Sequence, residues 1–233
     1  MSNSIQHIAD NMLSMWEEAI RNPVKMVRIV INPGDEIMIK AFYDYMLAID
    51  SDEEDMVFVL ECPFFNSATF SKELLEYVET QIILWNESKK PGNIVFEHIE
   101  WKPDYNIEDK ENQAMLAVSN FNRLTEILVG DINVKCSFIF DVGEVSDNES
   151  CKEWFRQALS LPFHKQMIWG IADIKGFEYF NKFPTLFPHD FISIYPPIDI
   201  DGAMEQLAEQ AANYDRNDPA ASKFRLALIK LMN

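Results

Sequence analysis

The segment "IVINPGDEIMIKAF", residues 30–43, has the pattern of a strand that passes through Gly34 into a helix. Turns of this kind bind phosphate when glycines leave several backbone N–H groups free and a lysine neutralises the charge. Here Pro33 supplies no N–H, and Asp35 and Glu36 stand at the electropositive start of the predicted helix. Because two carboxylates would repel a triphosphate, we expect them to cap the helix and to exclude a nucleotide.

The cysteines are candidate nucleophiles, but no histidine stands at a diagnostic spacing from any of them. Cys62 ends an apolar run and precedes Pro63, at a position where active sites of α/β proteins gather. Cys151 lies near the start of a predicted helix, which could lower its pKa, whereas Cys136 lies within a strand-like run. Free cysteine is among the most buried residue types, so we expect all three to be structural.

Motifs for metals and cofactors are missing from the chain. The histidines are scattered, and no C-x-x-C, H-x-x-x-H or G-x-S-x-G pattern occurs. The acidic stretch 50–55 lacks the glycine and the glutamate at positions 6 and 12 of a calcium loop, and the stretch 141–149 does not match the motif either. The 7 glycines form no G-x-G-x-x-G stretch for a dinucleotide. We therefore predict neither a metal nor a cofactor.

The run "CSFIFDV", residues 136–142, is an apolar strand that ends in Asp141. It resembles the second signature strand of the P-loop ATPases, where the aspartate holds Mg²⁺ beside the nucleotide. The order of elements over about residues 23–200 is also similar to that family. However, the chain contains no G-x-x-x-x-G-K-[ST]. The resemblance therefore implies a nucleotide-free relative, in which Asp141 opens a loop or caps a helix.

The elements that position these residues alternate between strand and helix. Predicted strands cover 25–31, 56–62, 93–102, 134–142, 166–174 and 190–197, and helices cover 4–21, 35–49, 67–86, 112–129 and 147–161. This alternation predicts a three-layer α/β domain with a mainly parallel sheet of five or six strands, an N-terminal helix and a C-terminal helical pair. We expect an α/β domain over 1–200 and a helical extension, packed on it, over 201–233.

Composition limits the possible partners and compartments. The 233 residues are 48% hydrophobic and carry a net charge of −18, which favours a soluble fold and disfavours nucleic acid and anionic membranes. A net negative charge of this size would attract a basic protein, so we expect a partner of that class. The N-terminus shows no signal peptide, and no apolar run reaches the roughly 18 residues of a membrane span. With three unpaired cysteines, these features indicate the cytoplasm.

Phenylalanine is concentrated in two loop-like segments, 62–70 and 177–191. The simpler interpretation is that these rings pack beneath the loops as part of the core. The alternative is an exposed surface for a protein partner, since large apolar patches on soluble proteins usually mediate contact. The residues of that hypothetical partner surface are Phe177, Phe180, Phe183, Phe187 and Phe191.

Because the common catalytic motifs are missing, we favour a non-enzymatic, cytoplasmic and bacterial protein-interaction or assembly component. The alternative is an enzyme whose site lies outside the carboxyl ends of the parallel strands, where such folds place their ligands. The candidate cleft residues are Gly34, Asp35, Glu61, Cys62, Asp141 and Glu144. If the sheet is parallel, we expect their three segments to converge in space. A cleft there that contains Glu61, Cys62 and a histidine would favour the enzyme, and a filled, featureless rim would favour the scaffold.

Overall fold

A computed structural model describes residues 4–48, 55–88, 98–107, 111–129 and 134–213. The helices are α1 (Ser4–Ile20), α2 (Glu36–Ala48), α3 (Ser67–Glu87), α4 (Met115–Val129), α5 (Asn148–Leu159), α6 (Phe183–Leu186) and α7 (Ile200–Asn213). The strands are β1 (Met26–Ile31), β2 (Met56–Glu61), β3 (Cys136–Asp141), β4 (Met167–Ile174) and β5 (Phe191–Ile194).

The strands form one sheet in the order β2-β3-β4-β1-β5, and every pairing is parallel. The central strands are buried on both faces, as their continuous apolar runs require. All carboxyl ends therefore lie along one edge, called the carboxyl edge below. The prediction of a three-layer α/β fold with a mainly parallel sheet is confirmed.

Alternate side chains of each strand enter two separate hydrophobic cores. On one face, Val27 and Ile29 pack with α1 and α2. On the other face, Phe138 and Trp169 pack with α3, α4 and α5. The helix α7 joins the first layer through contacts with α1, and residues 214–233 of the predicted helical extension lie outside the described residues.

Helix α1 lies close to the sheet because Gly170 of β4 has no side chain. A Cβ atom at this glycine would lie 2.6 Å from Cδ1 of Ile139 and 2.7 Å from Cη2 of Trp16. The Trp16 ring is almost fully buried against that position. The Trp16 ring of α1 therefore packs directly against the backbone of Gly170 in β4, where any side chain would collide with it.

A strand is predicted over 93–102, but residues 98–102, the described part of this range, do not form one. The backbone of Ile99 is bound instead by the Asn86 side chain, which accepts from the Ile99 N–H at 2.8 Å and donates to the Ile99 carbonyl at 3.0 Å. A side chain thus supplies both hydrogen bonds that a neighbouring strand would have provided. Trp101 packs into the core that faces α3 and α4.

Most of the phenylalanines in the segment 177–191 are buried, so the predicted partner surface needs correction. Phe180, Phe183 and Phe191 are buried in the core, where their rings contact one another edge-on. Phe187 is half-buried against the same cluster, and Phe177 is the one exposed residue of the five. The segment covers the face of β1 and β5 that the long helices leave free, so its rings are needed as core. A partner surface made of all five residues is therefore wrong.

Candidate functional site

The turn after β1 is closed by its own carboxylates. Gly34 adopts a φ of 98°, and its N–H donates to Oε2 of Glu36 at 2.8 Å. The N–H of Asn32 donates to Oδ2 of Asp35 at 3.3 Å, and the Asn32 side-chain amide donates to the same oxygen. Pro33 has no N–H. The Asp35 N–H donates to the Asn32 carbonyl at 3.1 Å, so the backbone donors of the turn before α2 are bound to the protein itself.

A cavity of about 220 Å³ lies at the carboxyl edge beside these residues. The pairing between β3 and β4 ends at Phe140 and Ile171, whereas β4 continues alongside β1 to Ile174. The walls are mainly apolar and come from β1, α2, β3, α5, β4 and the segment that follows β4. The polar and charged lining residues are Glu36, Lys40, Tyr43, Asp141, Asn148, Cys151, Asp173 and Tyr179.

Of the six candidate cleft residues, only Asp141 lines this cavity. Glu61 pairs with Asp141 in the register of β2 and β3, and the Cys62 N–H donates to the Asp141 carbonyl at 3.2 Å. The carbonyl of Glu144 accepts from the N–H of Phe64, which extends the same ladder. Two of the three predicted segments therefore converge.

Gly34 and Asp35 follow β1, which β4 separates from β3. They do not line the cavity, and the neighbouring Glu36 does so instead. No histidine is found among the described lining residues, and neither Glu61 nor Cys62 reaches the cavity. The combination that would have favoured an enzyme is therefore not assembled there.

All three cysteines are free and buried. Burial raises the pKa of Cys62 to about 11, and the charge of Glu73 adds to the effect. Burial also raises the pKa of Cys136 and that of Cys151 to about 12. Since the thiolate is the nucleophile, thiols that remain protonated at neutral pH are poor catalysts.

Tyr43 of α2 lines the cavity with a side chain that is 3% exposed. Its hydroxyl oxygen is shielded from solvent and forms no hydrogen bond of good geometry with the described residues. Burial, and next the charge of Asp141, raise the pKa of Tyr43 far above its ordinary value, while a hydrogen bond with the backbone of Ala172 acts in the opposite direction. The phenol therefore stays protonated at neutral pH.

A buried ion pair lies between β1 and β4. Nη1 of Arg28 is 3.4 Å from Oδ2 of Asp173, and both side chains are almost fully buried. The Asp173 carboxylate also accepts from the N–H groups of Tyr179 and Phe180, at 3.0 and 3.1 Å. Burial raises the pKa of Asp173 although these hydrogen bonds and Arg28 act in the opposite direction.

Arg28 extends this network to β5. Its Nε donates to the Ser193 hydroxyl at 3.0 Å, and its Nη2 lies 3.5 Å from the Tyr195 hydroxyl, the outer limit of a hydrogen bond. Tyr179 follows β4 and Tyr195 follows β5, and both are exposed. The buried pair therefore connects two surface aromatic residues on either side of β1.

Four exposed side chains follow three adjacent strands at the carboxyl edge. We call them the carboxyl-edge surface: Ile37, Phe177, Tyr179 and Tyr195. Phe177 is 69% and Tyr195 is 60% exposed. Large exposed aromatic residues of this kind are typical of protein interfaces.

Sequence reasoning missed Arg28, Tyr43, Asp173 and Tyr195. A usable signal existed for the ion pair, since "KMVRIVI" and "WGIADI" each place one charge within an otherwise apolar buried strand. Two opposite charges in such strands must pair with each other to be tolerated. No comparable signal existed for Tyr43, because its spacing on α2 is that of an ordinary core residue.

Comparisons with protein-family models, with curated proteins and with solved structures give no match to this chain. Within the described ranges, none of the helices combines the length and the apolar character needed to cross a membrane. Among the same residues, no group of three or more histidine, cysteine, aspartate or glutamate side chains is arranged to hold a metal ion.

Proposed function

We propose that this chain is a non-enzymatic α/β scaffold that binds a protein partner through the carboxyl-edge surface and holds no nucleotide. The observation that carries the proposal is the network around Arg28 and Asp173. A buried ion pair is costly, and one that connects exposed aromatic residues is well suited to keeping a binding surface in a fixed shape.

The closed turn after β1 supports the nucleotide-free part of the proposal. The Gly34 N–H donates to Glu36, and the Asn32 N–H donates to Asp35. A phosphate would have to displace both carboxylates from these donors and would be repelled by their negative charge. The likeness to the P-loop ATPases is retained here as a proposal. It is supported by a cavity that is lined both by Glu36, at the start of α2, and by Asp141, which ends β3.

Charge indicates the chemistry of the partner. The net charge of −18 gives the protein a field that attracts basic proteins and repels polyanions. We therefore propose a basic partner with an apolar centre that covers Phe177 and Tyr195. The cytoplasm is the proposed compartment, and the three free, buried thiols are compatible with its reducing conditions.

The test is an affinity capture from an extract of the source cell, in which the wild type is compared with Phe177→Ser/Tyr195→Ser by quantitative mass spectrometry. We expect a basic protein to be captured by the wild type and lost with the double variant. Purified, it should bind the wild type in a salt-sensitive manner and the variant at least about tenfold more weakly, as hot-spot aromatic residues require.

The matched control is Leu84→Ser, since Leu84 is 57% exposed but belongs to α3. This variant should retain the partner. The proposal fails if the captured proteins are the same for the wild type and the double variant, or if Leu84→Ser causes the same loss.

The second candidate function is an enzyme with its site at the carboxyl ends of the strands. The cavity beside Asp141 favours it, because α/β folds place ligands at this edge. Against it stand the protonated thiols and the absence of histidine among the described lining residues. Turnover of a substrate that Asp141→Asn abolishes would replace the scaffold by this alternative.

A further inference from the structure

We propose that the open side of β2 binds an extended, apolar peptide segment with basic ends, which joins the sheet as an added strand. The open side is the flank of β2 that faces away from β3, and it is formed by the backbone of Val57 and Val59. β2 and β5 are the two outer strands of the sheet, so this site lies on the opposite side of the molecule from Tyr195. The inference therefore goes beyond the proposed function and uses a different surface.

The backbone of β2 is hydrogen-bonded to a neighbouring strand on one side only. The Met56 N–H donates to the Lys135 carbonyl at 2.8 Å, and the Cys62 N–H donates to the carbonyl that ends β3 at 3.2 Å. Since the backbone groups of successive strand residues point to alternate sides, those of Val57 and Val59 point away from β3. No described strand lies there. Their N–H groups and carbonyls are the kind of template to which another chain can pair.

The side chains of β2 are also incompletely covered. Met56, Val57, Phe58 and Val59 are all half-buried, whereas the strands in the middle of the sheet are buried along almost their whole length. Met56 and Phe58 face one hydrophobic core, and Val57 and Val59 face the other. The Phe58 ring stacks on its register partner Phe138 at 5.3 Å. An added strand would therefore extend both cores by one row of side chains.

The features that protect an outer strand from pairing are present at β5 and missing from β2. β5 has only four residues and is followed by Pro196 and Pro197, and proline cannot donate to a neighbouring strand. β2 has six residues, and the run 56–60 contains no proline, glycine or charge. Of the two outer strands, β2 is therefore the one suited to strand addition.

The ends of β2 define the charge of the added segment. The residues 52–55 before β2 are all acidic, and Asp55 is held at the start of the strand by a backbone N–H that donates to it at 2.6 Å. Beyond β2, Glu61 and Glu144 are exposed, and neither forms an ion pair with a described residue. A segment that carries a lysine or arginine at each end is complementary to these carboxylates.

A second copy of this chain is a poorer occupant of the open side. If two β2 strands paired in antiparallel orientation about Phe58, Asp55 of one copy would lie opposite Glu61 of the other. Like charges in directly opposite positions destabilise a pair of strands. The net charge of −18 adds a general repulsion between copies, whereas it attracts a basic segment.

The test uses an acetylated and amidated heptapeptide of alternating valine and threonine with a lysine at each end. Its lysines have the same spacing as Asp55 and Glu61. Binding to the full chain is measured by fluorescence anisotropy, and the contact residues are located by NMR. We expect a dissociation constant below about 1 mM that weakens with added salt, and chemical-shift changes centred on β2.

Val59→Pro tests the backbone contact. It removes an N–H that points away from β3, a position at which outer strands tolerate proline, so the variant should fold. We expect it to bind the peptide at least about tenfold more weakly, because a backbone hydrogen bond is lost and the ring blocks the added strand. Val59→Thr is the matched control, since it keeps the N–H and the side-chain shape, and it should bind like the wild type.

Two modified peptides give the same information without changing the protein. One carries N-methyl groups on its threonines and the other on its valines, so that each blocks the hydrogen bonds of one flank of the peptide. Strand addition requires that one of the two loses binding and that the other retains it, because only one flank faces β2.

Glu61→Lys tests the charge. We expect it to weaken binding of the lysine peptide at least about threefold, because an attraction becomes a repulsion. Glu205→Lys is the control, since Glu205 is exposed on α7 and the net charge changes by the same amount. This control should leave binding nearly unchanged.

The proposal is overturned if the peptide does not bind at about 1 mM, if the shift changes avoid β2, or if both N-methylated peptides bind. It is also overturned if folded Val59→Pro binds the peptide like the wild type. A dimer in sedimentation that Val59→Pro dissociates would overturn it as well, because a second copy would then occupy the open side. The partner capture depends on Phe177 and Tyr195 instead, so the failure of one proposal can be distinguished from the failure of the other.

Discussion

Arg28 and Asp173 are opposite charges in two adjacent buried strands. Removing one partner of such a pair leaves an uncompensated charge in the interior, which costs far more than losing a pair on the surface. The pair has a further role here, because the Asp173 carboxylate also binds the N–H groups of Tyr179 and Phe180. Its loss should therefore loosen the segment that carries part of the carboxyl-edge surface.

We predict that Asp173→Ala lowers the free energy of unfolding by about 3–5 kcal/mol, because the Arg28 guanidinium stays buried without a counter-charge. Urea denaturation followed by circular dichroism measures this change. Adding Arg28→Met to Asp173→Ala should recover part of the loss.

Asp190→Ala is the control for this prediction. Its carboxylate pairs with Nζ of Lys25 at 3.2 Å, and both side chains are partly exposed. Its loss should cost no more than about 1 kcal/mol. A cost for Asp173→Ala as small as that for Asp190→Ala would contradict the structural role of the buried pair.

Helix α1 and strand β4 illustrate packing at the scale of elements. Trp16 fills the space that Gly170 leaves above the sheet, and Ile139 of β3 closes it from the side. Interiors are packed as densely as organic crystals, so an added methyl group at this point has no room. The glycine thus fixes how closely the N-terminal helix approaches the sheet.

We predict that Gly170→Ala lowers the free energy of unfolding by about 1–3 kcal/mol through overpacking. The double variant Gly170→Ala/Trp16→Phe should be more stable than the sum of the two single effects, because the smaller ring makes room for the methyl group. Thermal and urea denaturation of the four proteins give this coupling. Strict additivity would show that Trp16 is not the group that the new Cβ meets.

Sequence reasoning succeeded where an element is defined by its own residues. The continuous apolar runs around Cys136–Asp141 and Met167–Ile174 could only be buried parallel strands, and the structure has them there. It failed over 98–102, because the hydrogen bonds of Ile99 come from Asn86, a residue on another element. Pairing of that kind depends on tertiary structure and leaves no periodic signal.

The same limit applies to the candidate site. The sequence places Asp141 at the end of a strand, and that residue does line the cavity. Whether Phe180 and Phe183 face the solvent or the core depends on what the long helices leave uncovered, which composition does not reveal. Tyr43 has the spacing of a core residue, and only the three-dimensional arrangement shows that it lies beside the cavity.

At the scale of the whole molecule, one parallel sheet separates two hydrophobic cores and gathers the candidate site residues at a single edge. That edge presents exposed aromatic residues, a small apolar cavity, and a turn whose N–H groups donate to its own carboxylates. The net charge of −18 disfavours the approach of polyanions. Together these features are the basis of the proposal that the chain is a nucleotide-free scaffold.

The most direct measurement is a thermal shift of the full chain with about 5 mM MgATP, a concentration at which even a millimolar site would contribute about 1 kcal/mol. For a chain of this size that stabilisation would raise the melting temperature by about 2–4 °C. Because Glu36 and Asp35 already bind the donors of the turn, we predict no rise. A rise of about 2 °C or more that is lost when Gly34 is replaced by Pro would contradict the account.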